Sequence, residues 1–241
     1  MRDTMNRITR IRKEEKEYHE YCYENYKLFV EGSWLHKPVQ TVMDVIPFLQ
    51  EKHHVSILDL GCGIGRNSIP LANAVKEQNG TVICVDLLPS AIQKLEHYSK
   101  EYDVQDVIQP VLCDIADYDI KENSFDFIFA VSSLEHVASE GILENVLKQT
   151  AHGTKTGGIN CFIINCGVEE FDLETGNRLE ALMEVNIPVE DMLEKLKHIY
   201  RDWNTLNIIV KPLEYKITRN GRPVLLKTHA VTYVVRKEPL A

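Results

Sequence analysis

The sequence predicts an open α/β fold, in which a mostly parallel sheet carries helices on both faces and is closed by an antiparallel hairpin. Three observations carry this. Short apolar runs of strand length alternate with helix-patterned stretches between residues 55 and 166, the rhythm of βαβ units. Asn220-Gly221 lies between two β-rich runs, and Asn-Gly is the strongest short hairpin signal because both residues tolerate positive φ. The 241 residues are 44% hydrophobic and 26% charged, which is globular and large enough to bury a core without staples.

VSILDL at 55–60 is apolar throughout, as a strand buried on both faces must be. A glycine loop and a helix over about 66–78 follow, and Asn79-Gly80 ends that helix. TVICVDLL at 81–88 is the second strand. Pro89-Ser90 opens a helix whose Ala91, Ile92, Leu95 and Tyr98 recur at helical spacing. VIQPVLCD at 107–114 is the third strand, and Pro110, lacking an N–H, assigns it to an edge or a bulge. FDFIFAVS at 125–132 is the fourth. A helix near 139–151, Gly157-Gly158 and the fifth strand, INCFIINC, come next. A helix over 188–201 leads into the closing hairpin of NTLNIIVKPLEYKIT and VLLKTHAVTYVVRK.

Two segments lie outside this rhythm. Residues 1–50 read as a helical cap rich in Tyr18, Tyr21, Tyr23 and Tyr26, with Phe29 and Trp34. Those aromatics serve either a substrate cap or the packing of a helix on the sheet. Residues 167–187 are too long for an ordinary connection and read as a lid. This lid carries Glu169, Glu170, Asp172, Glu174, Glu180 and Glu184 against Arg178, and apolar Phe171, Leu179, Leu182 and Met183 for closing over a bound molecule. A lid that negative repels phosphorylated acceptors and tolerates neutral or cationic ones. The chain reads as one domain of 241 residues, a cap over 1–50 and a core over 51–241.

The net charge of −9 disfavours nucleic acid as a partner. Arg2, Arg7, Arg10, Arg12 and Lys13 are followed at once by Glu14, Glu15 and Glu17, the pattern of a solvated arm. No apolar run approaches the roughly 20 residues of a membrane span, and the N-terminus has no secretory pattern. Six cysteines without a CxxC pair read as reduced thiols of a cytoplasmic protein. Oligomeric state is not legible.

The chemistry concentrates in ILDLGCGIGRNS at 57–68. A strand delivers Asp59, and the chain turns through Gly61, Gly63 and Gly65, which permit positive φ and close approach of a ligand to the backbone. The following helix offers free N–H groups to whatever lies over the loop. Asp86 ends the second strand, where a carboxylate can accept from both hydroxyls of a ribose, and Asp114 ends the third, where it can accept from an exocyclic amine. Arg66 stands where a dinucleotide fingerprint needs a small residue, and no Gly-Lys-Ser/Thr follows, so neither that fingerprint nor a P-loop is present.

With LDLGCGIGR, VDLLP, CDIAD and FDFIFAVSSLEHV in that order, the chain resembles the class I S-adenosylmethionine-dependent methyltransferases over about residues 55–166. The closest branches are the small-molecule, tellurite-resistance-like and quinone-biosynthesis-like enzymes. The resemblance implies a Rossmann-like seven-stranded sheet of order 3-2-1-4-5-7-6 with the last strand antiparallel. It further implies S-adenosyl-L-methionine as cofactor, S-adenosyl-L-homocysteine as product, and methyl transfer to a small molecule by in-line displacement without a metal. Gly61, Cys62, Gly63 and Gly65 then run beneath the methionine part, Asp59 faces its ammonium directly or through water, and Arg66 reaches its carboxylate. Asp86 holds the ribose with Leu87 on the adenine. Asp114 accepts from the adenine amine with Ile115 on the other ring face, and Ala130 and Val131 offer backbone groups near the sulfonium.

Glu135 and His136, just past the fourth strand, are the candidates for a catalytic base, and Trp34 and Phe171 for acceptor contacts. Glu135-His136 could equally start a helix, and Cys62 reads as a small loop filler. Two other readings stay open: a methyltransferase of proteins or RNA using the basic arm, and a catalytically silent cofactor-binding subunit.

Overall fold

The computed structural model describes residues 2–219 and 221–239, with side chains from Arg7 onward. Helix α1 (Arg2–Asn25) is followed by the short helices α2 (Gln40–Met43) and α3 (Ile46–Gln50). The core then alternates β1 (Ser56–Leu60), α4 (Ser68–Val75), β2 (Thr81–Asp86), α5 (Pro89–Glu101), β3 (Ile108–Leu112), β4 (Phe125–Val131), α6 (Glu140–Gly153) and β5 (Thr154–Asp172). A two-residue strand β6 (Arg178–Leu179), helix α7 (Val189–Ile199) and the strands β7 (Asn204–Arg219) and β8 (Arg222–Arg236) complete it.

The sheet runs β3-β2-β1-β4-β5-β8-β7, with β6 paired to β5 off this path. Leaving out the short β6, this is the expected seven-stranded order. Strands β3, β2, β1, β4 and β5 pair in parallel, and β8 runs antiparallel between β5 and β7. Pro110 sits on the edge strand β3, paired on one side only. Arg219 pairs Arg222 across the two-residue turn, where Gly221 has φ +77°; Asn220 lies outside the described residues.

Strand parity sorts the core into two layers. Ile57, Val82, Cys84, Phe127, Phe129 and Cys161 pack with α4, α5 and the cap helices. Leu58, Leu60, Val85, Ile128, Ala130 and Phe162 pack with α6 and α7. Consecutive strand residues point to opposite faces, so unbroken apolar runs are what a sheet covered on both sides requires. All six cysteines are free thiols, and no helix among the described residues is long and apolar enough to cross a membrane.

The structure departs from the sequence reading in two places. The segment 167–187 is only partly a connection. β5 continues through it to Asp172, pairing with β8 as far as Val224. The return leg is tied back: Gly167 N–H donates to Ile187 C=O, and the Asn186 side chain exchanges two bonds with the Val168 backbone at 2.8 and 2.9 Å. The basic arm, in turn, is not free: Arg7, Arg10 and Arg12 are ion-paired although partly exposed, and the Arg2 side chain lies outside the described residues. Arg7 and Arg10 pair with Glu180 of this return leg, and Arg12 pairs with Asp114. Their partners are more than 100 residues away in sequence, which local charge patterning cannot reveal.

Candidate active site

The C-terminal ends of β1, β2 and β4 open into a single cavity of about 860 Å³. Its floor is the glycine loop after β1. Gly61 has φ +85°, and a Cβ there would meet the Ser133 Cβ at 2.3 Å, so the loop and the turn after β4 touch backbone to side chain. The Ser133 hydroxyl locks that approach by donating to Leu60 C=O at 2.6 Å. The loop's other tether is Asp86, whose carboxylate accepts from Gly63 N–H at 2.8 Å and Leu88 N–H at 2.9 Å. Burial raises the Asp86 pKa, and the backbone N–H groups together with the nearby His19 oppose the rise. A buried carboxylate with no cationic side chain on it retains capacity for further donors.

Asp59 lies beneath the loop and outside the cavity. It takes the Ser68 hydroxyl at the start of α4, and burial lifts its pKa to about 7 against that bond. Gly65 and Ala130 are also behind the lining: a Cβ on Gly65 would meet Leu95 at 2.6 Å, and Ala130 is fully buried. These three expected contacts shape the floor without reaching its surface. Gly61, Cys62, Gly63, Arg66, Asp86, Leu87, Asp114, Ile115 and Val131 do line the cavity. The structure brings these nine residues together on one side of the cavity, around the strand ends and the glycine loop.

Glu135 and His136 separate. They occupy a single 3-10 turn, Leu134–His136, which sends neighbouring side chains in different directions. Glu135 points inward, is fully buried and accepts from the Asn165 backbone and side-chain N–H groups at 3.0 and 2.7 Å. Burial raises its pKa. It fastens the turn to β5 and is no base for a bound acceptor. His136 points into the cavity, its Nδ1 bonded to the fully buried Glu184 at 2.9 Å. Burial pulls its pKa down, but the bond to Glu184 and the charges of Glu15, Glu135 and Glu184 prevail and raise it to about 9. At neutral pH His136 is an imidazolium, a hydrogen-bond donor rather than a free base.

Trp34 lines the cavity, with the Arg66 guanidinium 5.0 Å over its ring and bonded to its carbonyl at 2.9 Å. Tyr18 and Tyr23 of α1 join it, whereas Tyr21 is exposed. Phe171 is not part of the lining. The elongated β5 carries it beyond the cavity, where it lies under the Lys227 ammonium at 5.9 Å.

The far wall was missed by motif reading. One face of the hairpin contributes Leu213, Tyr215, Ile217 and Arg219 from β7 and Leu226, Thr228 and Ala230 from β8. Their period of two was present in the sequence, but nothing there says which face meets the site. Helix α1 roofs the cavity with Arg12, Glu15, Lys16 and His19. Arg12 reaches Asp114 at 2.9 Å and Glu184 at 4.0 Å, and Glu15 meets Arg219 at 3.1 Å. Ser132, at φ +51°, is a strained non-glycine residue on the cavity surface after β4, the kind of position where sites hold backbone strain.

Residues 57–158 match the family model described as a methyltransferase domain. The chain is 24% identical over 111 residues to a sterol 24-C-methyltransferase of Debaryomyces hansenii, covering 46% of this chain and 28% of that protein. It is 26% identical over 143 residues to a sterol 24-C-methyltransferase of Saccharomyces cerevisiae, covering 59% and 35%. The chain thus spans about a third or less of the length of these curated relatives. The fold is similar to that of TehB from Haemophilus influenzae, with a TM-score of 0.60 and 23% identity over 83% of this chain and 62% of that one.

Proposed function

We propose that this chain, which carries a class I S-adenosylmethionine-dependent methyltransferase domain, transfers a methyl group to a small molecule held between the glycine loop and the β7–β8 wall. The observation that carries this reading is the single continuous cavity. It joins the cofactor-type floor of Gly61, Gly63, Asp86 and Asp114 to a chamber bordered by α1.

The residues present fit the cofactor. Asp86 has room for ribose hydroxyls beside its two backbone bonds. Leu87 and Ile115 offer apolar surface for an adenine, and Asp114 offers an acceptor for its amine. The buried Arg66 Nε–H has no partner and suits a carboxylate. When bound, S-adenosylmethionine supplies a methyl group already activated on a sulfonium. The protein's own residues then have to align the acceptor and exclude water. Val131 and Ser132 border the meeting point of the two halves, α1 and the return leg 180–187 cover it, and His136 holds a proton donor toward the acceptor.

A protein or RNA acceptor reached through the basic arm fits less well, because Arg7, Arg10 and Arg12 are occupied within the molecule. We place the enzyme in the cytoplasm on its free thiols and read it as one domain whose cap and 167–187 segment complete the chamber. The deciding experiment is calorimetry with S-adenosylhomocysteine, followed by transfer from methyl-labelled S-adenosylmethionine into metabolite, protein and RNA extracts. Label in the metabolite fraction is expected. Label only in protein or RNA overturns the small-molecule reading, and cofactor binding with no transfer in any fraction supports a silent subunit.

A further inference from the structure

Every carboxylate that lines the cavity already has a donor. Asp86 takes two backbone N–H groups. Asp114 and Glu184 share Arg12, and Glu184 also holds His136, while Glu15 meets Arg219. The unused capacity lies with the cations. The Nε–H groups of Arg12 and Arg219 are buried without a hydrogen-bond partner, that of Arg12 standing 4.0 Å from Glu184. The His136 side chain is 27% exposed, with Nδ1 committed to Glu184 and its other nitrogen open to the cavity. Around these groups the surface is apolar, with Leu213, Ile217, Leu226, Ala230, Val168 and Met183.

Resting on the reading of this cavity as a methyl acceptor's chamber, we infer that the acceptor is an apolar molecule carrying an anionic oxygen group of the carboxylate kind, met by His136 and the Nε–H groups of Arg12 and Arg219. A cationic acceptor would bring a further positive charge to groups that have no free carboxylate to offset it. A neutral oxygen would meet the buried N–H donors with bonds about half as strong as those to an anionic oxygen. The inference reverses what the acidic composition of residues 167–187 suggests. Glu170, Glu180 and Glu184 of that segment are spent on Arg219, on Arg7 and Arg10, and on His136 and Arg12.

The probes are decanoate, 1-decanol and decylammonium, titrated calorimetrically into the 241-residue chain with and without saturating S-adenosylhomocysteine. Decanoate is expected to bind about tenfold or more tightly than decanol, with decylammonium weakest, as a charge-assisted bond implies. His136→Gln should cost decanoate about tenfold and leave decanol unchanged. Decylammonium binding as tightly as decanoate overturns the inference, as does decanoate binding no better than decanol. Failure of S-adenosylhomocysteine to bind is a separate result. It removes the methyltransferase reading, while the carboxylate preference is still scored on the free protein.

Discussion

Arg12 donates to the Asp114 carboxylate at 2.9 Å and so ties the first helix to the strand end expected to hold the adenine amine. An adenine amine and a guanidinium cannot both have the same oxygen at full strength. The pair is partly exposed, 34% and 19% for the two side chains, and is therefore worth about 1 kcal/mol or less. Arg12→Ala should tighten S-adenosylhomocysteine binding by up to about fivefold, and Asp114→Asn should weaken it. Calorimetry on the two variants checks this; looser binding in Arg12→Ala would show that the arginine helps to hold the ligand.

Asp86→Asn tests the floor. The amide oxygen can keep one backbone N–H bond, so the loop retains its shape, while the charge available to ribose hydroxyls is gone. Each charge-assisted bond contributes roughly 1.5–3 kcal/mol, so affinity for S-adenosylhomocysteine should fall about ten- to a thousandfold. An unchanged dissociation constant, measured with native-like circular dichroism, places the ribose elsewhere.

The His136–Glu184 pair predicts a pH dependence with a definite sign. The folded-state pKa of His136 is raised from 6.5 to about 9, so the folded protein binds the proton more tightly than the unfolded chain does. The stabilisation is fully present below about pH 6.5 and is lost as pH rises through 9. Its ceiling is about 3 kcal/mol, reduced by the partial exposure of the ring. Denaturant melts at pH 6.5 and 9.5 should differ in this direction, and Glu184→Gln should shrink the difference. An imidazole titrating near 6.5 by NMR would refute the assignment.

Hydrogen exchange separates the two parts of residues 167–187. Amides of β5 that pair with β8 through Asp172 should be protected with the rest of the sheet, and the return leg 173–184 should exchange faster. Asn186→Ala removes both bonds to Val168 and should speed exchange in the return leg at a stability cost of about 1–2 kcal/mol. Uniform protection across the whole segment, unchanged in the variant, would mean a rigid wall.

The sheet order and the floor of the site were legible because both follow from local pattern. Apolar runs mark buried strands, and Asp86 and Asp114 sit where those strands must end. What escaped depends on partners distant in sequence. Glu169, Glu170 and Asp172 read as loop charges, yet they continue β5: Glu170 is covered by Arg219, 49 residues on, and Asp172 caps its own turn through the N–H groups of Glu174 and Thr175. Arg7, Arg10 and Arg12 read as solvated for the same reason. Glu135 and His136 were read as a unit because they are neighbours, and the 3-10 turn that divides them leaves no mark in composition.

The Glu15–Arg219 ion pair also has a bearing on biosynthesis. It joins residues 204 positions apart, and the roof it fastens precedes every strand of the sheet in the chain. This contact of α1 therefore forms only once β7 has been made, whereas its pairs with Asp114 and Glu180 need no hairpin. A nascent chain stalled before residue 219 already holds the glycine loop and all five parallel strands, yet it has an open floor and no chamber. Pairings of such long sequence separation form slowly. Competence to bind the acceptor should accordingly lag behind collapse of the sheet, and fragments ending before β7 should retain cofactor affinity before they retain turnover.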